Sequence, residues 1–265
     1  MTLRGFVLLL AFSFIIREPA LSEPVQFPSA AAPLSALKSR LARQHGFLPL
    51  PEPGDPIGGE LYRPSGAGPV PAIIALHGCT GRLSPDAEAA LSAAFGRPGY
   101  AVLWVDSFEP RGIEQQCNYT PEPVDRVRDV YGALDWLARQ PFIDATRIAV
   151  LGLAEGATVA LSTVSPSGYA LHLSTNRFAV AIAINPSCYP GFSVVTAPTL
   201  VVTGGPRNPT ELKECRTMIA GRTAGSAPEQ LVVLPFITDV LPSETYSNKD
   251  AAAVVTAFLQ EHFGN

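Results

Sequence analysis

Arg147-Ile148-Ala149-Val150-Leu151 runs into Gly152-Leu153-Ala154-Glu155-Gly156, and then into Ala157-Thr158-Val159-Ala160-Leu161. The first run is nearly all apolar and reads as a strand buried on both faces of a sheet, while the run after Gly156 reads as a helix. A glycine on each side of a sharp strand-to-helix turn answers two needs. The central residue is held in a strained conformation, and neighbouring backbone passes close by. This is the setting of a nucleophile elbow, G-x-S-x-G. Here Ala154 stands at the centre, and a methyl group has no atom able to attack a carbonyl.

Working outward, the same alternation repeats along the chain. Gly59 to Arg63, Ala72 to Leu76, Ala101 to Val105, Ala179 to Ile184, Thr199 to Val202 and Leu231 to Leu234 read as further strands. Several are unbroken apolar runs, as expected of a parallel sheet covered by helices on both sides. The intervening segments supply those helices: Ser84 to Phe95, Pro123 to Gln140, Glu155 to Val164, Pro209 to Ile219 and Lys249 to Phe263. In the second of these, Val127, Val130, Tyr131, Leu134 and Leu137 fall on one helical face, which puts Asp125, Arg126 and Arg128 on the wet side. Strand-helix alternation predicts a doubly wound sheet with right-handed crossovers in one α/β domain.

The N-terminus reads differently. Arg4 precedes an apolar run from Phe6 to Ile16, and Ala20-Leu21-Ser22 offers a small-x-small cleavage site, so residues 1–22 are expected to be a signal peptide. That run is shorter than the roughly 20 residues of a membrane-spanning helix. The expectation is an exported protein, periplasmic or secreted, with no membrane contact after cleavage. Residues 23–56 read as an arm: an Ala/Leu/Lys/Arg-rich segment from Ser29 to His45, then a Pro-rich connector from Leu48 to Pro56. Residues 57–265 form the domain. A net charge of −4 argues against nucleic acid as a partner. The four cysteines include no CxxC pair and no zinc-type spacing, so in an exported chain they favour disulfides over a metal site. Asn118-Tyr119-Thr120 is a glycosylation sequon.

His77-Gly78-Cys79-Thr80-Gly81 closes the strand that ends at Leu76. It forms an HGxxG turn, the place where one oxyanion-hole N–H is supplied; the second comes from the residue after the elbow centre, Glu155. Next come Val105-Asp106-Ser107-Phe108-Glu109-Pro110-Arg111-Gly112 with Cys117 close behind, Asp135 to Gly156, and Asn185-Pro186-Ser187-Cys188. With these motifs the sequence resembles the dienelactone hydrolase family in its exported form. The resemblance implies an α/β-hydrolase fold and cofactor-free cleavage of esters or lactones by an elbow serine or cysteine. An aspartate after the seventh strand and a histidine after the eighth would complete the triad.

Carried over position by position, the nucleophile falls on Ala154, the acid on Arg207 and the base near Asp239. All three depart from the pattern. A serine-to-alanine trap of an active enzyme would have kept the aspartate and the histidine, so natural degeneration is the better account. The four histidines agree: only His262 follows the acid position, and it lies far along the last helix. The family's strand order pairs Cys79 with Cys117 and Cys188 with Cys215. Cys79 as a replacement nucleophile is the alternative, as are Thr158 or Ser162 behind the elbow.

Beside the oxyanion N–H groups of Cys79 and Glu155, the pocket is expected to include His77, Thr80 and Arg111. His77 is either structural or a substrate polariser, and Arg111 either a loop anchor or an anion site. Arg207 and Asp239 form an ion pair in one reading, and Glu155 and Asp239 an acid/base pair in another. The functional expectation is a pseudo-hydrolase that binds a small ester-like or lactone-like ligand. The alternative is an ester or lactone hydrolase with rearranged residues.

Overall fold

The computed structural model describes residues 21–32, 34, 36–48, 51–65, 68–96, 99–117, 124–204, 209–234 and 249–264. The apolar runs become one eight-stranded sheet in the order β1-β2-β4-β3-β5-β6-β7-β8. These strands are β1 Leu21–Pro28, β2 Pro56–Arg63, β3 Val70–Leu76, β4 Ala101–Asp106, β5 Ile143–Leu153, β6 Val180–Ile184, β7 Thr199–Gly204 and β8 Glu229–Leu234. The six strands from β4 across to β8 run parallel, whereas β1 and β2 pair antiparallel. All six strands read from the sequence outside the elbow are present; five extend by one to three residues at an end, and the one read from Ala179 begins at Val180.

The helices are α1 Ala36–Gln44, α2 Pro85–Gly96, α3 Arg126–Ala138, α4 Glu155–Val164, α5 Pro209–Ala220 and α6 Lys249–Phe263. Alternate side chains of each strand serve opposite cores. Ile74, Leu103 and Val150 meet Tyr131 and Leu134 of α3 and Ala160 of α4. Ile73, Val102 and Leu151 meet Leu91 and Phe95 of α2 and Phe258 and Leu259 of α6. Two helical layers therefore cover the sheet, which is the reason its central strands are apolar throughout.

Two readings change. Residues assigned above to the leader and the arm contribute β1, whose Leu21 and Ser22 pair with Arg63 and Tyr62, so the expected cleavage after Ser22 falls inside a strand. Pro24 and Pro28 hid this element, since proline reads as a strand breaker; on an edge strand its missing N–H costs the ladder nothing. Arg126 is buried rather than wet, for a reason found at the site. The sequon at 118–120 lies outside the described residues.

At the opposite end of the sheet, Glu229 opens β8 with neither carboxylate oxygen accepting a hydrogen bond among the described residues. Burial pushes its pKa from 4.5 up to about 7, against a smaller opposing pull from Arg222. A group whose folded pKa is raised favours the folded state at low pH. That stability is fully present below about pH 4.5 and is lost as pH rises through 7. Glu229→Gln should therefore flatten the stability profile over this window and exceed the native chain at pH 8 by up to about 3 kcal/mol. Urea melts at a series of pH values measure this; parallel profiles for the two chains would refute it.

Candidate active site

β5 ends at Leu153 and α4 begins at Glu155, so Ala154 alone makes the turn. It does so with φ 51° and ψ −115°. Its N–H donates to the Ile184 carbonyl at the end of β6 (2.9 Å), which holds the elbow against the next strand. A non-glycine residue in this region carries strain of roughly 1–3 kcal/mol. The geometry that presents a nucleophile is thus kept under an inert methyl.

The flanking glycines are required by contact. A Cβ on Gly152 would lie 2.0 Å from the Gly156 carbonyl oxygen, and one on Gly156 would lie 2.4 Å from the carbonyl oxygen of His77. The start of α4 therefore packs directly on the backbone where β3 enters the HGCTG turn. A Cβ on Gly78 would stand 3.6 Å from the methyl of Ala154, so the turn and the elbow are immediate neighbours. The Cys79–Cys117 disulfide and the Gln116 N–H to Cys79 carbonyl bond (2.8 Å) staple the turn to the loop after β4. Cys188–Cys215 joins the loop after β6 to α5. No cysteine is free, and this removes Cys79 as a replacement nucleophile.

The main-chain N–H groups of Cys79 and Glu155 donate no hydrogen bond among the described residues. Glu155 opens α4, where the first N–H groups lack intrahelical acceptors and the helix dipole is positive. Two donors beside the elbow are what an oxyanion-type cradle needs. The side-chain hydroxyls behind it are engaged: Ser162 donates to the Thr158 carbonyl (2.9 Å), and the Thr158 hydroxyl accepts the Ser187 N–H (3.0 Å).

Arg126 is the site residue that sequence periodicity missed. It stands at the first position of α3, beneath the turn, with one guanidinium nitrogen on Glu155 (2.9 Å) and another on the His77 carbonyl (2.7 Å). Burial lowers its pKa, and the charge of Glu155 opposes that shift first. The arginine thus holds the acidic residue next to Ala154 and the HGCTG turn in one arrangement. Its sequence signal was weak, because a charged residue at a helix start ordinarily points to water.

Two residues expected in the pocket are elsewhere. His77 is fully buried under the turn, with Nδ1 donating to the Gly78 carbonyl (2.7 Å) and Nε2 accepting the Ser107 N–H (3.4 Å), so neither ring nitrogen is left for a ligand. Burial, assisted by the positive charge of Arg126, brings its pKa down to about 4 and keeps the ring neutral. Arg111 anchors a loop: its guanidinium pairs with Asp55 (2.8 Å) and the buried Asp129 (2.9 Å) and donates to the Ser107 carbonyl (2.7 Å). These partners satisfy the fork and leave no anion site. Thr80 is exposed and lines a cavity that Ala154 does not line. Arg207 and Asp239 lie outside the described residues.

No family model matches the sequence. Two uncharacterised proteins from two strains of Mycobacterium tuberculosis are 26% identical over 227 residues, covering 80% of this chain and 77% of theirs. Among solved structures, dienelactone hydrolase from Anabaena variabilis superposes with a TM-score of 0.58 at 19% identity, covering 78% of this chain and 91% of its own. An esterase from Pyrococcus furiosus gives 0.62 at 14% identity, covering 92% and 94%. An α/β hydrolase from a Penicillium species gives 0.62 at 14%, covering 91% and 99%. With the strand order and the elbow described above, these likenesses establish that the chain has the α/β-hydrolase fold shared by dienelactone-hydrolase-like structures.

Proposed function

We propose that this chain is an exported pseudo-hydrolase that binds a small ester or lactone through its oxyanion-type cradle without cleaving it. One observation carries the reading: an alanine occupies the strained elbow position, beside two unpaired main-chain donors and a glutamate locked by a buried arginine. Hydrolysis needs an attacking atom and a base to activate it. Ala154 has no attacking atom, His77 is buried with both ring nitrogens occupied, and the cysteines are bonded to one another. Arg207 and Asp239, at the acid and base positions of the resemblance, carry the wrong chemistry for either role. Export is supported by the N-terminal apolar run and by the two disulfides, which persist in oxidising compartments.

Esterases among the structural neighbours favour one second reading, a hydrolase whose chemistry has moved to other residues. Turnover of p-nitrophenyl acetate separates the two. The native chain should show none above buffer and no labelling by a fluorophosphonate probe. Ala154→Ser combined with Arg207→Asp and Asp239→His should raise turnover by at least about tenfold. Native turnover abolished by changing one side chain would reject the pseudo-hydrolase reading and identify the nucleophile.

A further inference from the structure

A cavity of about 480 Å3 opens between β2, the HGCTG turn, the start of α2 and the loop that follows β4. It shares Thr80 and Gly81 with the turn but reaches neither Ala154 nor Glu155. Its charge is one-sided. Glu60 and Asp106 line the interior, and exposed Glu109 and Glu114 stand at the rim. The cation in the lining, Arg82, is already neutralised: both oxygens of Glu88, a fully buried carboxylate, accept from its guanidinium. A carboxylate or phosphate ligand would meet repulsion here, and a cation attraction.

Two side chains in the lining are more than nine-tenths buried yet each keeps one polar atom without a partner among the described residues. Tyr62 is only 8% exposed and its hydroxyl makes no hydrogen bond. Asp106 is 5% exposed; its Oδ1 accepts the N–H groups of Phe108 (2.9 Å) and Glu109 (3.0 Å), while its Oδ2 accepts none. Held by otherwise buried side chains and open to the cavity, these atoms are placed to meet the polar group of whatever occupies it. With Glu60 they make three acceptors. An –NH3+ group presents three donors and no acceptor. Leu83, Phe108 and Ile113 supply apolar walls that a bare metal ion would not use. Among the described residues, moreover, no group of three or more His, Cys, Asp or Glu is placed to hold a metal.

We infer that this cavity binds a small molecule carrying a primary ammonium on an apolar body. The site is independent of the cradle at Ala154, so either proposal stands if the other fails. Isothermal titration at neutral pH with benzylamine, benzyl alcohol and benzyltrimethylammonium tests it on the purified chain. Benzylamine should saturate one site, and the other two should bind at least about tenfold more weakly, since one lacks the charge and the other the N–H donors. Glu60→Gln should weaken benzylamine by about tenfold and Tyr62→Phe by several-fold, with circular dichroism confirming that both variants are folded. Absence of saturable benzylamine binding overturns the inference. Equal binding of the alcohol reduces the cavity to an apolar pocket, equal binding of the trimethyl cation reduces it to a negative field, and an unaffected Glu60→Gln variant removes the assigned acceptor. Each of these results rejects the primary-ammonium site.

Discussion

Alanine at Gly156 is expected to destabilise the chain by roughly 3 kcal/mol or more, lowering the melting temperature by about 10 °C. The added methyl would stand 2.4 Å from the His77 carbonyl oxygen and 2.7 Å from that of Leu76. Neither can retreat, because Leu76 sits in β3, bonded on one side to β4 and on the other to β5. Relief has to come from lifting α4 off the sheet, which opens the core around Ala157 and Leu161. Gly112→Ala is the matched control. It has φ +67° and open space around the added methyl, so it bears only the left-handed backbone cost of about 1 kcal/mol. Urea unfolding of both variants decides the matter; equal losses would mean that the close approach at the elbow is relieved cheaply.

The second large effect concerns the pair under the HGCTG turn, and the two partners are not equivalent. The Arg126 side chain is 2% exposed and that of Glu155 is 40% exposed. Removing the glutamate strands a buried guanidinium, whereas removing the arginine releases a carboxylate that water can reach. Glu155→Ala should therefore cost about 3 kcal/mol, moderated by the field of Asp129 and Asp106 on the arginine. Arg126→Met should cost less, about 1–2 kcal/mol, mainly the bond to the His77 carbonyl. The double variant should be more stable than Glu155→Ala alone, because a buried apolar side chain no longer needs a counter-charge. The opposite ranking in denaturation experiments would show that the hydrogen bond to the turn, not charge burial, dominates.

The sequence alone determined the parts of this protein that depend on neighbours along the chain. Apolar runs such as Ile148 to Leu151 and Val180 to Ile184 are strands because a double-sided core demands them. The glycines at 152 and 156, with Ala154 between, announce an elbow without a nucleophile, because close backbone approach and side-chain chemistry are both legible in residue type. The cysteine pairing followed from strand order once the resemblance supplied that order.

Only the tertiary structure decided the rest. Whether Pro24 and Pro28 belong to a strand depends on an edge being free beside β2. Arg126 is buried because Glu155 and the His77 carbonyl wait beneath the turn, and helical periodicity carries no record of partners from another element. His77 and Arg111 left the expected pocket for the same reason, their hydrogen-bonding capacity being met by groups distant in sequence. Glu60, Tyr62 and Asp106 converge on one cavity only when β2 and β4 lie side by side. Local pattern encodes periodicity and turn chemistry, but which polar groups satisfy one another is a property of the packed fold.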